Sequence, residues 1–167
     1  KEFGVTPHLS VFGKAMANGY PIGAVVGKKE VMKVIADEVF LSSTFFPNSL
    51  AQIAALQTIE FMEKNNVLGE IKRKGHEFAE MVKGHLKDSG IPTNFTGAPW
   101  MPFITFKRDP DKVYKRLRNE FYKQLIRRKI FLQPYHHGYI AYRHTDEDLK
   151  NAADLIAESL QESKKIL

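Results

Sequence analysis

The segment that decides the fold covers residues 11–24, VFGKAMANGYPIGA, where Lys14 stands between an apolar run and a glycine-rich loop. Glycine permits tight turns and close backbone approach. Short apolar runs around Leu9 and Val11 and at 24–26 flank the loop. Runs of this length, bounded by glycine, predict short strands. We therefore expect strands and loops packed around a ligand in this region, and not a helix.

Lys14 is the candidate catalytic residue of this segment. Its apolar neighbours Phe12, Ala15, Met16 and Ala17 are expected to desolvate the amine, and burial favours the neutral form of a lysine. A neutral lysine is the nucleophile that Schiff-base chemistry needs. Composition alone favours another interpretation, because a lysine between apolar residues is usually a surface residue with a buried stem.

Two helices with different patterns are expected after the loop. Residues 28–37 are predicted to form a short helix, and a longer helix is expected from about Ser49 to Asn65. Apolar residues cover most of the circumference of the longer helix, which is typical of a buried helix. The turn-rich stretch from Phe40 to Asn48 separates the two helices.

From residue 67 onward the pattern is that of amphipathic elements. A helix is predicted over 67–89 with Gly90 at its end, and Thr145 with Asp148 predicts a capping box at the start of the last helix. The elements expected between these helices are a strand at 103–106, a helix at 111–128, and short strands at 131–132 and 139–142. This order predicts an α+β layer, with a domain boundary near 64–67.

Residues 4–24, GVTPHLSVFGKAMANGYPIGA, resemble the cofactor-lysine motif of class III aminotransferases, which depend on pyridoxal 5'-phosphate (PLP). The family pattern is a Pro-Asp-Leu segment, then Gly-Lys, then an Asn-Gly-x-Pro-x-Gly-Ala run. The resemblance implies that Lys14 forms the internal aldimine with PLP. It also implies that the freed amine moves protons between the substrate Cα and the cofactor C4′. His8 departs from the pattern, because the family usually has Asp there.

Residues 41–51, LSSTFFPNSLA, resemble a second family segment, in which Gly-Thr precedes Asn-Pro-Leu-Ala. The resemblance implies that Thr44, with Ser43 beside it, binds the PLP phosphate of the neighbouring subunit in a homodimer. A hydroxyl and a backbone N–H near a helix start suit a dianion. Ser43 replaces the family's Gly and Ser49 replaces its Pro, which indicates a relative of glutamate-1-semialdehyde aminomutase and not that enzyme itself. Without the Lys14 motif, a helix-entry turn would be the preferred interpretation of 42–44.

Residues 131–149, FLQPYHHGYIAYRHTDEDL, resemble the end of the same family, where a strand and a proline lead to a loop, a strand and a helix start. His136 and His137 would point to opposite sides of an extended chain, so they and His144 are not expected to chelate a metal. Arg143 is a candidate partner for a substrate carboxylate. An ion pair at the surface or between domains is the more common role of such an arginine.

The resemblance covers essentially the whole chain and implies an α/β fold, that of fold-type-I PLP transferases. Residues 1–66 would be the end of the large PLP-binding domain, and 67–167 the small α+β C-terminal domain. The implied reaction is amino-group transfer between a small-molecule amine or amino acid and a carbonyl substrate, or 1,2-transfer as in an aminomutase. A PLP racemase or decarboxylase on the same fold is a further alternative. The first residue is Lys1, so we expect the upstream half to be missing and the chain alone to be inactive.

Composition limits the other functions. The 167 residues contain no cysteine, which excludes disulfides and thiolate chemistry and agrees with a cytoplasmic origin. Without a long apolar run or a signal peptide, no membrane partner is expected. The net charge of +6 leaves a non-catalytic basic α+β binding module as the competing interpretation. The basic helix is the one predicted at 111–128. Its aromatic residues Tyr114 and Phe121 fall on or near the core stripe and are not available to bases, so no nucleic-acid partner is expected.

Overall fold

The structure, a computed structural model, describes residues 4–42 and 48–167. Contacts within the chain form two compact units, Lys1–Asn66 and Val67–Leu167, called unit 1 and unit 2 below. That unit 1 belongs to a large cofactor domain and unit 2 to a small C-terminal domain remains a prediction from the sequence.

A β-hairpin frames the Lys14 loop of unit 1. Strand β1, Leu9–Phe12, pairs antiparallel with strand β2, Ala24–Gly27. The loop between the strands contains a 3-10 helix, Lys14–Ala17, so the expectation that this region has no helix is wrong for these four residues. The two strands predicted from their apolar residues are therefore confirmed, and the hairpin brings the two ends of the glycine-rich loop together. Gly27 suits this pairing, because a Cβ there would overlap the His8 carbonyl oxygen and the Leu9 side chain.

Three helices complete unit 1. They are α1, Lys29–Met32, α2, Val34–Asp37, and α3, Ser49–Lys64. The predicted helix at 28–37 is thus two short helices with Lys33 between them. Helix α3 agrees with its prediction, and it begins where the Asn48 side chain accepts a hydrogen bond of 3.2 Å from the Ala51 N–H. This contact satisfies one of the unpaired N–H groups of the first turn.

Unit 2 combines three long helices with a second antiparallel hairpin. Its elements are α4, Val67–Ser89, β3, Thr93–Thr96, β4, Phe103–Phe106, α5, Val113–Arg127, and α6, Asp146–Lys164. The predicted capping box of α6 is confirmed, because Thr145 and Asp148 exchange both of its hydrogen bonds. Strand β3 was not predicted, since its Thr-Asn-Phe-Thr sequence lacks the apolar run that marks most strands.

One continuous hydrophobic core lies inside unit 2. Helices α4 and α5 pack against α6, and the apolar face of β4 closes the core through Ile104 and Phe106. The Tyr122 hydroxyl of α5 donates a hydrogen bond of 3.0 Å to the Ile104 carbonyl and so ties the helix to the strand. The fully buried large side chains of the core are Val82, Phe121, Leu125, Ile156 and Leu160. These residues lie on the stripes that the helical periodicity predicts.

The strands predicted at 131–132 and 139–142 are wrong, because neither segment has strand pairing. The chain instead makes two separate backbone contacts with the loop before β4. The Gly138 N–H donates to the Pro102 carbonyl at 2.8 Å, and the Ile140 N–H donates to the Trp100 carbonyl at 3.0 Å. Proline has no N–H to donate in return, so a regular ladder does not continue through this position.

Residues 4–42 and 48–167 do not provide the burial that the sequence pattern of helix α3 predicts. Leu50 and Leu56 are each 66% exposed. Among residues 4–42 and 48–66 the buried hydrophobic residues are small, namely Ala17, Ala51 and Ala55. This part of unit 1 therefore has an apolar surface and no core of large side chains.

Candidate active site

Lys14 lies where strand β1 ends and the 3-10 helix begins. Gly13 between them is extended, with φ −171°, and the helix ends at Asn18. The loop is held by a series of short-range turns. In these turns the N–H groups of Met16, Asn18 and Tyr20 donate to the carbonyls of Gly13, Ala15 and Ala17. The tight turns that the glycine content predicts are therefore present.

The backbone of Lys14 has a left-handed conformation, with φ +50°. This conformation costs an L-residue about 1–2 kcal/mol, and asparagine tolerates it better because its short side chain bonds locally. Asn18, with φ +46°, is such a case. The Lys14 side chain makes no local hydrogen bond within residues 4–42 that would offset this cost. Strained residues of this kind concentrate at functional sites, so the backbone supports a functional role for Lys14.

The expected burial of Lys14 is not provided by the described residues. Its side chain is exposed, Phe12 is 53% exposed, and Ala17 is the buried member of the 3-10 helix. The reason is that both strands of the hairpin present most of their side chains to solvent. Among residues 4–42 and 48–167, no acceptor or carboxylate engages the Lys14 amine. The amine is therefore open to a ligand that carries a carbonyl group.

Helix α3 holds the Lys14 loop in position. The helix contacts the 3-10 helix, and the buried residues of both are alanines: Ala17, Ala51 and Ala55. Small side chains allow two backbones to approach closely. The first turn of α3 is fixed in turn by the Asn48 cap. A substitution in the first turn of α3 is therefore expected to disturb the packing of α3 against the 3-10 helix that contains Lys14.

Ser43 and Thr44, the predicted phosphate-binding residues, lie outside the described residues. The described chain resumes at Asn48, directly before α3. The assignment of both hydroxyl residues to the cofactor phosphate therefore stays a prediction from the sequence.

The adjacent His136 and His137 stack on one another and do not have the arrangement expected from an extended chain. The His136 and His137 rings lie 4.3 Å apart between centroids at 30°, so the expectation that they point to opposite sides is wrong. The cause is a turn, in which the His136 N–H donates to the Gln133 carbonyl. The His137 Nε2 lies 2.8 Å from the Tyr139 hydroxyl. In the described part of the chain, no group of three His, Cys, Asp or Glu side chains is arranged to hold a metal ion.

Arg143 sits on a tightly fixed turn before α6. The His144 N–H donates to the Ala141 carbonyl, and the His144 ring accepts from the Ala141 N–H at 3.1 Å. Lys74 of α4 donates to the carbonyls of Tyr142 and His144, at 2.9 and 2.7 Å. The exposed Arg143 side chain has no partner among the described residues. Sequence reasoning missed Lys74, because a lysine on the polar side of an amphipathic helix gives no distinguishing signal.

No helix in residues 4–42 and 48–167 combines the length and the apolar character that crossing a bilayer requires.

Known proteins resemble this chain along its whole length. Residues 1–157 match the family Aminotransferase class-III. The 3-aminobutyryl-CoA aminotransferase of Cloacimonas acidaminovorans (strain Evry) is 60% identical over 167 residues, which are 100% of this chain and 40% of that protein. The glutamate-1-semialdehyde 2,1-aminomutase of Nitratidesulfovibrio vulgaris (strain DP4) is 30% identical over 165 residues, covering 92% of this chain and 39% of the relative.

A solved structure shows the same fold. The FumI protein of Sphingopyxis sp. MTA144, determined in its PLP internal aldimine form, superposes with a TM-score of 0.88 at 24% identity, over 98% of this chain and 39% of that one. The α/β fold of type-I PLP transferases that the sequence predicts is thereby confirmed. The chain spans about 40% of the length of the curated relatives it matches. With its family match extending over residues 1–157, the chain belongs to the class-III aminotransferases.

Proposed function

We propose that this chain supplies the cofactor lysine and the C-terminal part of a PLP-dependent aminotransferase, with Lys14 as the residue that holds PLP. Family membership supports the cofactor and the class of reaction. The observation that carries the choice of Lys14 is its geometry: a left-handed backbone, an exposed side chain, and an amine that no described residue engages. These properties fit a group that binds an aldehyde.

PLP, when bound, supplies an electron sink for negative charge that develops on the substrate Cα. The residues of this chain supply attachment and proton movement. The Nζ of Lys14 would hold the cofactor, and after its release it would take up and return the substrate Cα proton. The alanine contact between α3 and the 3-10 helix would keep that amine in place during the transfer.

Two further parts of the proposal concern the assembly. We propose that Thr44, with Ser43, binds the cofactor phosphate of the neighbouring subunit in a homodimer, because a segment that leads into a helix start suits an anion. Asn48 begins helix α3 four residues after Thr44, which supports that placement. A cytoplasmic location is proposed on the cysteine-free composition.

The degree of similarity to the relatives supports a proposal for the substrate class. The relative that is 60% identical is a 3-aminobutyryl-CoA aminotransferase, whereas the aminomutase from Nitratidesulfovibrio vulgaris is 30% identical. We propose that the amino donor is a 3-aminoacyl-CoA thioester and the acceptor a small carbonyl compound. This favours intermolecular amino transfer over the 1,2-transfer of an aminomutase.

The test uses the complete enzyme to which this sequence contributes. Borohydride reduction in the presence of PLP, followed by peptide mapping, is expected to place a pyridoxyl group on Lys14. Lys14→Ala should lower turnover by at least about a thousandfold, since general acid–base and nucleophilic roles are lost together. Lys29→Ala, on α1 of the same unit, is the matched control and should retain wild-type turnover.

Two results would contradict the proposal. One is a pyridoxyl label spread over surface lysines with Lys14 unlabelled. The other is a Lys14→Ala enzyme that turns over at the rate of the Lys29→Ala enzyme.

A further inference from the structure

Unit 2 contains a pocket at the end of helix α4 that is lined by lysines. Its volume is about 430 Å³, and its walls are the last turns of α4, strand β3 and the residue that follows β4. Small-molecule sites commonly have volumes of roughly 300–1,000 Å³. The lysines of its lining are Lys83, Lys87 and Lys107. Among residues 4–42 and 48–167 no carboxylate lines this pocket, so its walls carry an excess of positive charge.

The three lysines differ in how far the fold already engages them. The Lys83 amine lies 2.9 Å from a Glu80 carboxylate oxygen and 5.7 Å from the centre of the Phe95 ring. The amines of Lys87 and Lys107 contact no acceptor or carboxylate in the described part of the chain, and both side chains are exposed. These two amines are therefore available to a ligand.

The usual structural role of a lysine near the end of a helix is to donate to the last carbonyl groups, and at the end of α4 other groups fill that role. The Ser89 hydroxyl donates to the Leu86 carbonyl at 2.8 Å, and the Gly90 N–H donates to the Lys87 carbonyl at 3.3 Å. The Lys164 amine of α6 donates to the Ser89 carbonyl at 3.2 Å. The end of α4 therefore does not require the Lys87 amine.

The opposite wall is also held together without its lysine amine. The Lys107 N–H donates to the Pro92 carbonyl at 2.8 Å, and the Thr93 hydroxyl donates to the Ile91 carbonyl at 3.1 Å. These hydrogen bonds use the backbone of Lys107 and leave its amine unbound. Lys107 is thus fixed through its backbone, while its side chain lines the pocket.

The charge of the pocket favours a ligand with negative charge. Lys83 and Lys87 are four residues apart on one helix, and like charges at this spacing repel each other and weaken the helix. Lys107 adds a third positive charge from another element. An anion in the pocket would offset this repulsion. The Asn94 side chain also lines the pocket and makes no hydrogen bond with the described residues, so its amide offers a neutral donor.

We propose that this pocket binds a phosphate group, with Lys87 and Lys107 as the charged contacts and Asn94 as the neutral donor. A phosphate has several acceptor oxygens and can accept from two walls of a pocket at once. Lysine suits it as a compact point charge. The volume of about 430 Å³ leaves room for a second phosphate or an organic group attached to the first. The inference uses unit 2 alone and does not depend on the function proposed for Lys14.

The experiment measures the Kd of inorganic pyrophosphate for the complete holoenzyme by calorimetry at low ionic strength, because salt screens exposed charges. The double variant Lys87→Gln/Lys107→Gln should raise this Kd about tenfold, as expected for the loss of two exposed charge contacts. The matched control is Lys112→Gln/Lys115→Gln. Both control lysines are exposed, contact no acceptor among the described residues and do not line the pocket. The control removes the same charge from the same unit and should keep the wild-type Kd.

Lysine labelling gives a second measurement that needs no substitution. The wild-type holoenzyme is acetylated with and without pyrophosphate, and the modified lysines are identified by peptide mass spectrometry. Pyrophosphate should slow the acetylation of Lys87 and Lys107 severalfold and leave that of Lys115 unchanged. Protection of both pocket lysines supports the site even if the double variant does not fold.

Vesicles of phosphatidylcholine, with and without phosphatidic acid, distinguish the two sources of a phosphate group. Binding of pyrophosphate without binding to the vesicles supports a site for a free phosphate compound. Binding to vesicles with phosphatidic acid supports a site for a lipid headgroup, provided that Lys87→Gln/Lys107→Gln abolishes it and Lys112→Gln/Lys115→Gln does not.

Three results overturn the proposal. The first is a wild-type holoenzyme that binds neither pyrophosphate nor the vesicles. The second is a Kd that is unchanged in Lys87→Gln/Lys107→Gln, or that rises equally in Lys112→Gln/Lys115→Gln, since general positive charge and not the pocket would then attract the anion. The third is protection from acetylation that includes Lys14 and excludes both pocket lysines. None of these results bears on the amino-transfer function proposed for Lys14.

Discussion

Units 1 and 2 differ in how they bury apolar residues. Unit 2 encloses fully buried large side chains such as Phe121, Leu125 and Ile156, whereas the buried hydrophobic residues in the described part of unit 1 are alanines. Most of the large hydrophobic side chains that are exposed among the described residues belong to unit 1, and Leu56 and Phe40 are examples. Surfaces of this kind usually mark an interface. The difference indicates that unit 2 is stabilised by its own core, whereas residues 4–42 and 48–66 of unit 1 leave most of their large apolar side chains exposed.

A truncation in each unit tests this difference most strongly. Phe121→Ala removes a ring that is 0% exposed, and it should lower the free energy of unfolding of unit 2 by about 3–5 kcal/mol. Leu56→Ala, at a side chain that is 66% exposed, should change the stability of the 167-residue chain by no more than about 0.5 kcal/mol. Urea unfolding followed by fluorescence of Trp100, the only tryptophan, reports on unit 2. Unfolding followed by circular dichroism also reports on helix α3 of unit 1.

Measuring Leu56→Ala in the complete enzyme as well tests whether the apolar face of α3 is an interface. Leu56→Ala should there cost about 2 kcal/mol or more, because we expect the apolar face of α3 to be covered. Equal effects of Leu56→Ala in the two settings would contradict the interpretation of this face as an interface.

Elements with periodic apolar residues were predictable, and contacts between distant residues were not. Helix α4 and the capping box at Thr145 followed from spacing alone, since both depend on residues within a few positions of one another. The strand predicted at 139–142 failed because its neighbour, the segment before β4, contains Pro102. No local pattern indicates which segment a strand will meet.

In the candidate site, too, features set by neighbouring residues were predictable and features set by distant residues were not. Lys14 was found from the motif around it, because the motif is contiguous in sequence. Its exposure was not predicted, since desolvation depends on what packs over the hairpin and not on the adjacent residues. The left-handed backbone of Lys129, with φ +63°, was also not predicted. A lysine in place of the glycine that usually ends a helix becomes visible only once φ is known.

A second prediction tests how tightly unit 2 is packed. Gly75 of α4 lies against the next segment, and a Cβ there would come within 2.7 Å of the backbone N and Cα of Trp100. Gly75→Ala should therefore destabilise unit 2 by about 1–3 kcal/mol through overpacking. Gly84, on the same helix, has nothing within 4 Å of such a Cβ. Gly84→Ala should raise stability by up to about 1 kcal/mol, because alanine favours the helix.

The opposite signs make this pair informative. Both substitutions add the same methyl group to one helix, so differences in propensity cancel. The urea midpoint from Trp100 fluorescence is expected to fall for Gly75→Ala and to rise for Gly84→Ala. A rise for both variants would contradict the close contact of α4 with Trp100.

The smallest effect concerns the two helix caps, which use different chemistry in the two units. In unit 2 the backbone N–H of Thr145, and then its side chain, hold the pKa of Asp148 below its ordinary value of 3.8. A carboxyl whose pKa is depressed by folding adds stability above its unfolded pKa and loses it as the pH falls through the folded value. The contribution of Asp148 should therefore begin to decline as the pH falls through the unfolded pKa of about 4 and be lost once the pH is below the lower, folded pKa. In unit 1 the cap is the amide of Asn48, which does not titrate in this range.

Asp148→Asn separates the two caps experimentally. The urea midpoint of the wild type should exceed that of Asp148→Asn at pH 6, and the difference should shrink steadily toward pH 2 as the wild-type carboxyl takes up its proton. Asn48→Ala should weaken helix α3, measured by circular dichroism, by the same amount at both pH values, because the lost acceptor carries no charge. An Asp148→Asn difference that is constant from pH 6 to pH 2 would mean that the Thr145 contact does not depend on the carboxylate, and the contrast between the caps would fail.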